Sequence, residues 1–154
     1  MEEIRWSRGP HELRLEEKWV LPLPAGLVYA EGGEMRRFLA ATGNALTGKE
    51  MAVFGAVDLS WFVVVSGGAA VPKSALAWTE EAREADGREV VIRSVLRGGT
   101  LFELVSEKAG AEEARRSVEQ VLAGLRETTA ARTPWWPLLL IPLVVLVLVR
   151  RRRE

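Results

Sequence analysis

The chain contains no cysteine, a single histidine and a single tyrosine. Without cysteine there is no disulfide framework, thiol nucleophile, iron–sulfur ligation or cysteine zinc site. With His11 alone, a multi-histidine metal cage cannot be built within one chain. Nor is there an excess of charge. The 21 basic side chains match 21 acidic ones, so no net field selects nucleic acid. Internal repeats and low-complexity tracts are also missing. The 154 positions hold 48% apolar and 27% charged residues. That is the composition of a folded domain with at most one appended segment, not of a disordered chain.

The neutral total hides an asymmetry. Residues 1–131 carry 16 basic and 20 acidic side chains, whereas residues 132–154 carry five arginines and one glutamate. Between Arg132 and Arg150 lies the longest uncharged apolar run, the 16 residues from Pro134 to Val149. As a helix it spans about 24 Å, against about 30 Å of hydrocarbon in a bilayer. Three features extend its reach. Trp135 and Trp136 belong in the headgroup layer, the flanking arginines can snorkel, and a short span can thin the bilayer at modest cost. Pro137 suits a first helical turn, and Pro142 is tolerated as a mid-span kink. A helix apolar all round with four terminal arginines has no solvent face, which disfavours a soluble core helix. The expected anchor residues are Trp135, Trp136, Leu138, Leu139, Leu140, Ile141, Leu143, Val144, Val145, Leu146, Val147, Leu148 and Val149, with the lipid bilayer as their partner.

Arg150, Arg151, Arg152 and Arg153 then determine topology. Positive charge is retained on the cytoplasmic side, so the body belongs on the outer, periplasmic or extracellular side. Met1-Glu-Glu-Ile-Arg-Trp6 does not read as a signal peptide, because no apolar stretch comes after it. A cytosolic body is therefore the competing topology. The expected organisation is a soluble domain at 1–127, a linker at 128–133, a transmembrane anchor at 134–149 and a basic cytoplasmic tail at 150–154.

The body reads as α+β, a small mostly antiparallel sheet with a C-terminal three-stranded meander and two packing helices. His11–Leu15 alternates as a strand, with Trp19–Leu23 as its partner. Pro22, Pro24 and Gly26 punctuate the next stretch. A helix from Glu34 to Thr42 aligns Met35, Phe38, Leu39 and Thr42, and Gly43-Asn44 ends it. Met51–Ala56 and Trp61–Ser66 read as short buried strands. Helix propensity competes with flanking turn signals over Ser74–Ala85. Asp86-Gly87 and Gly98-Gly99 are hairpin signals, and they make Ala75–Arg83 the first strand of the meander. A final helix is expected over Ala111–Glu127, burying Ala114, Val118, Val121, Leu122 and Leu125. Glu112 and Glu113 fall in its first turn and Arg126 in its last, as the helix dipole prefers.

Several short motifs occur in an order that resembles the bacterial uncharacterised membrane-anchored proteins grouped as domain of unknown function 2167. Gly9-Pro10 precedes the first strand, Leu23-Pro24-Ala25-Gly26 resembles the family's Leu-Pro-x-Gly, and a short helix ends in Gly43-Asn44. Asp58 precedes Trp61-Phe62-Val63-Val64, similar to a Trp-Phe-Val-Val strand of the family, and Leu76-Ala77-Trp78 resembles the start of its closing meander. The chain is shortened between these last two motifs, where only Gly67–Lys73 remains, and it lacks the family's usual signal peptide. The resemblance implies an outward-facing body and a strand near Ala75–Arg83. It implies no activity.

Candidates for chemistry each meet a plainer explanation. Gly67-Gly-Ala-Ala-Val-Pro-Lys73-Ser74 nearly spells a phosphate-cradling loop, but Pro72 replaces a glycine and offers no N–H to phosphate. His11 has no recognisable partner and reads as a strand-edge histidine. Glu80, Glu81, Glu84 and Asp86 lack the alternation of a calcium loop and read as solvated hairpin charges. Asp58 reads as a turn cap. Trp61 and Trp78 read as sheet aromatics, and Trp6 and Trp19 as candidates for membrane or partner contact. The expectation is a non-enzymatic, envelope-facing binding module with an envelope protein as partner. It carries no catalytic residue, cofactor, metal or nucleic acid. The alternative is a small-ligand binder or hydrolytic enzyme built on carboxylates and arginines, such as Asp58 with Arg93 or Arg97.

Overall fold

The computed structural model describes residues 4–15, 19–44, 46–68, 79–85, 88–97 and 99–128. The expected linker beyond Thr128, the anchor at 134–149 and the arginine cluster lie outside the described residues. Among those that are described, no helix is long and apolar enough to cross a membrane.

Ten strands and two α-helices succeed one another among the described residues. β1 (Ser7–Arg8), β2 (His11–Leu15), β3 (Trp19–Leu23) and β4 (Leu27–Glu31) precede α1 (Gly32–Ala41). β5 (Glu50–Ala56), β6 (Trp61–Ser66), β7 (Thr79–Ala85), β8 (Arg88–Arg97) and β9 (Thr100–Glu107) lead to α2 (Ala111–Ala123) and β10 (Arg126–Glu127). A seven-stranded sheet has the order β1-β4-β5-β6-β9-β8-β7, and a three-stranded sheet the order β10-β3-β2. These pairings are all antiparallel. The architecture is α+β, as expected. The sequence pattern missed β1 and β4 of the large sheet and β10 of the small one, and it did not separate the β2–β3 pair into a sheet of its own.

Period-two alternation divides the large sheet into two faces. On one face Phe54, Val63, Val65, Phe102 and Leu104 are buried under α2 and the small sheet, which contribute Val118, Val121, Leu13, Leu15, Leu21 and Leu23. On the other, Val53 and Val64 are buried under Met35, Phe38 and Leu39 of α1. The helices therefore cover opposite faces. Trp6 extends the second cluster, edge-on to Phe38 at 5.0 Å between centroids, and Phe38 in turn meets Phe62 at 4.9 Å.

Three element boundaries differ from expectation. α1 ends at Ala41, and Thr42 is its cap, exposed, with Oγ1 donating back to the Phe38 carbonyl at 2.9 Å instead of joining the core. The first meander strand runs from Thr79 to Ala85, with Ala85 opposite Arg88. The strand reading thus prevails over the helix there, and residues 75–78 lie outside the described residues. α2 stops at Ala123, four residues early. A Cβ on Gly124 would sit 2.7 Å from Pro22 Cγ, so the glycine lets the helix end close against β3 without displacing that ring. The chain then turns, and Arg126 and Glu127 pair with Val20 and Trp19. Arg126 is accordingly not in the helix's last turn, and it forms an ion pair with Glu12.

Candidate functional site

The charged groups singled out from the sequence do not converge. Asp58 sits in the β5–β6 connection, where its Oδ1 accepts from Ser60 N–H at 3.1 Å and from Ser60 Oγ at 2.8 Å. Those two hydrogen bonds hold its carboxyl below the usual aspartate range. This is the turn-capping role expected of it. Leu59 within that turn has φ of 56°, a costly value for leucine that persists because the side chain packs against the α1 cluster.

Arg93 is engaged elsewhere. It is buried on the α2 side of β8, 9% exposed. Its Nε donates to Glu80 Oε2 at 2.7 Å, Nη1 to the Ala111 carbonyl at 3.0 Å and Nη2 to Glu112 Oε1 at 2.6 Å. Burial opposes the guanidinium's charge, but hydrogen bonds and charge from Glu80 and Glu112 outweigh it and hold the group above its ordinary value. In the same way the bonds from Arg93 and Arg115 keep Glu112 below the usual glutamate range. The Ala111 carbonyl lies in the first turn of α2, so Arg93 staples that end of the helix to β7 and β8.

His11 is exposed on β2, an edge strand of the small sheet, and stacks on Tyr29 of β4 at 4.4 Å between centroids. It bridges the two sheets. Glu80 of the acidic cluster is taken by Arg93. No group of three or more metal-ligating side chains occurs among the described residues. Of the near phosphate loop, Gly67 donates its N–H to the Lys49 carbonyl at 2.9 Å, while residues 69–74 and Trp78 lie outside the described residues. Trp6 and Trp19 are partly buried against the two cores.

Among the described residues, two concavities that motif reading did not find are open. The larger, about 570 Å³, is a groove between the β3–β4 connection and the C-terminal half of α2. Its walls are Pro22, Leu23, Pro24, Ala25, Gly26, Leu27, Trp61 and Val121, with Ser117, Gln120 and Gly124 along the helix side. Gly26, at φ 90°, makes the turn that carries β3 into β4. The volume lies within the roughly 300–1,000 Å³ of ordinary ligand sites. The one sequence signal for this groove was the Leu23-Pro24-Ala25-Gly26 motif. The smaller, about 370 Å³, lies between the end of α1 and the outer face of β6 and β9, lined by Asn44, Thr47, Lys49, Glu50, Ser66 and Glu103 with Leu39, Val64 and Leu101. Glu50 there is below the usual glutamate range. Burial raises it, but bonds from the Thr47 hydroxyl and N–H and from Gly48 N–H prevail.

The solution structure of cyanobacterial PsbP (CyanoP) from Synechocystis sp. PCC 6803 matches 81% of this chain and 94% of that one, with 11% sequence identity and a TM-score of 0.39. A likeness at that distance brings no property of that protein to this one. No family model and no curated protein matches the chain.

Proposed function

We propose that the protein is a non-catalytic binding module tethered to a membrane by residues 134–149, with its folded body on the outer side. It is read as a shortened relative of the membrane-anchored family whose motifs it resembles. The observation that carries the binding role is the apolar groove walled by Leu23, Leu27, Trp61 and Val121. An apolar concavity of ligand size is where a partner or ligand would bury surface. The tether and the orientation rest on the uncharged run from Pro134 to Val149 and on Arg150–Arg153.

Topology tests this reading directly. The full chain carrying an N-terminal tag is expressed in a bacterium, and intact spheroplasts are treated with protease. The tag is expected in the membrane fraction and shaved from outside. A membrane-bound but protected tag refutes the orientation. A tag in the soluble fraction refutes the tether.

A second reading, a binder of small polar ligands, is favoured by the cleft that places Lys49 beside Glu50 and Glu103. It predicts that a small amino acid or dicarboxylate raises the melting temperature of the wild type but not of Lys49→Ala.

A further inference from the structure

We propose that the groove between the β3–β4 connection and α2 takes one acyl chain of a bilayer phospholipid, with the phosphate met at the rim by Arg116. The proposal rests on the tether reading and names the ligand of that site.

Reach is the first argument. The groove borders Gly124, and the chain continues through β10 (Arg126–Glu127) beside β3 to Thr128, at most about 13 Å further on. Residues 129–133 lead to Pro134 and span at most about 18 Å when extended. The groove is thus held within roughly 30 Å of the headgroup layer, about the width of a small domain. Acyl chains are then present at the high effective concentration that a short tether confers.

Chemistry is the second argument. Leu23, Leu27, Trp61 and Val121 offer aliphatic and indole surface, while Ser117 and Gln120 supply polar groups only on the helix side. An acyl chain gains free energy with each methylene it buries there. Arg116 lies one helical turn before Gln120, at the edge of that face. It is exposed and has no ion pair or side-chain hydrogen bond among the described residues. Its neighbour Arg115, by contrast, is bound to Glu112 and Glu119. An unpaired arginine one helical turn from a groove-lining residue can meet the phosphate of an ester whose hydrocarbon tail fills the groove. Glu113, on the same side of α2 one turn before Ser117, disfavours a headgroup carrying further negative charge and suits one that also bears an amine.

The test uses the full chain reconstituted into vesicles of phosphatidylethanolamine and phosphatidylglycerol, traced with a phosphatidylethanolamine that bears a diazirine midway along one acyl chain. After irradiation, labelled peptides are mapped by mass spectrometry. Label in residues 134–149 serves as the internal control for insertion. The proposal expects additional label on the peptides containing Leu27, Trp61 or Val121. Gln120→Trp, an exposed rim position whose indole would close the mouth, is expected to reduce groove label about tenfold, the loss of roughly two methylenes' worth of burial. Arg116→Glu is expected to reduce it severalfold, and both variants should keep the wild-type melting temperature and the label in 134–149. Label confined to 134–149 in a folded chain overturns the acyl-chain proposal and leaves the tether standing. That result covers a groove filled by the chain's own apolar segment or kept for a soluble partner. Groove label indifferent to both substitutions overturns it as well. A chain that never enters the vesicles overturns the tether and this proposal with it.

Discussion

Arg93 Nη2 lies 2.6 Å from Glu112 Oε1, joining the middle of β8 to the first turn of α2 across 19 residues of sequence. The same guanidinium reaches Glu80 on β7 and the Ala111 carbonyl. The one arginine therefore holds a sheet edge, its neighbouring strand and a helix start in a fixed relation. Arg93→Ala removes every one of these bonds and leaves a hole beside the core. It is expected to lower the unfolding free energy by about 2–4 kcal/mol, read from urea denaturation. Glu80→Gln and Glu112→Gln should each cost less, because both carboxylates are more than half exposed and the arginine keeps its other partners.

Acid should weaken the fold before base does. Glu50, Asp58 and Glu112 all have folded-state values below their ordinary ones of 4.5, 3.8 and 4.5. A carboxyl depressed by folding contributes stability above its unfolded value and loses it as pH falls through the folded one. Stability is therefore expected to decline as pH drops below about 4.5. Glu50→Gln should flatten the decline by removing one of the three contributions. Arg93 and Arg115 are held above their ordinary values, so what they contribute is fully present at acid and neutral pH and is lost only under strongly alkaline conditions. Melting temperatures measured between pH 3 and pH 8 check the sign.

At Gly55 and at Gly124 a Cβ would collide with a neighbour, and the two sites differ in how far that neighbour can yield. A Cβ on Gly55 would run into the Trp61 carbonyl and stand 2.9 Å from Phe62 Cα, and neither backbone atom can yield within paired strands. At Gly124 the obstacle is the ring of Pro22, which can shift slightly. Gly55→Ala is expected to destabilise by about 3 kcal/mol or more and Gly124→Ala by about 1–2 kcal/mol, as for overpacked sites. Thermal unfolding of the two variants side by side gives the ranking.

Two hydroxyls on β9 point the other way. Thr100 is 1% exposed and Ser106 4% exposed, and neither hydroxyl has a hydrogen-bond partner among the described residues. Both lie on the face that carries Phe102 and Leu104. Thr100→Val preserves shape and removes a desolvated hydroxyl. It is expected to be neutral or to stabilise by up to about 1 kcal/mol, seen as an unchanged or higher urea midpoint.

The strands His11–Leu15, Trp19–Leu23 and Trp61–Ser66 were legible in the sequence residue for residue, and Met51–Ala56 was legible to within one residue. Alternation, aromatics and turn signals are local and need no partner to be read. Leu27–Glu31 was missed because the Pro22-Leu-Pro-Ala-Gly26 stretch reads as a loop and hides the five-residue strand after it. Arg126 and Glu127 were read as helix because helical propensity ran on past Gly124. What the C-cap Gly124 meets there is Pro22, far earlier in the chain, whose ring leaves no room for a Cβ. The groove was illegible for the same reason, since Leu23, Trp61 and Val121 come from three elements with no common spacing.

Local sequence was enough to establish most of the elements, the antiparallel meander and the α+β class, because hydrophobic periodicity and turn chemistry are properties of neighbours along the chain. It also set apart the apolar run at 134–149 and the four arginines after it, because uninterrupted apolar length needs no fold to be recognised. Tertiary contacts alone established that there are two sheets, that α1 and α2 lie on opposite faces, that Arg93 serves the scaffold, and that an apolar groove opens beside Trp61. Each of these depends on side chains far apart in sequence meeting in space, where burial and hydrogen bonding override local preference.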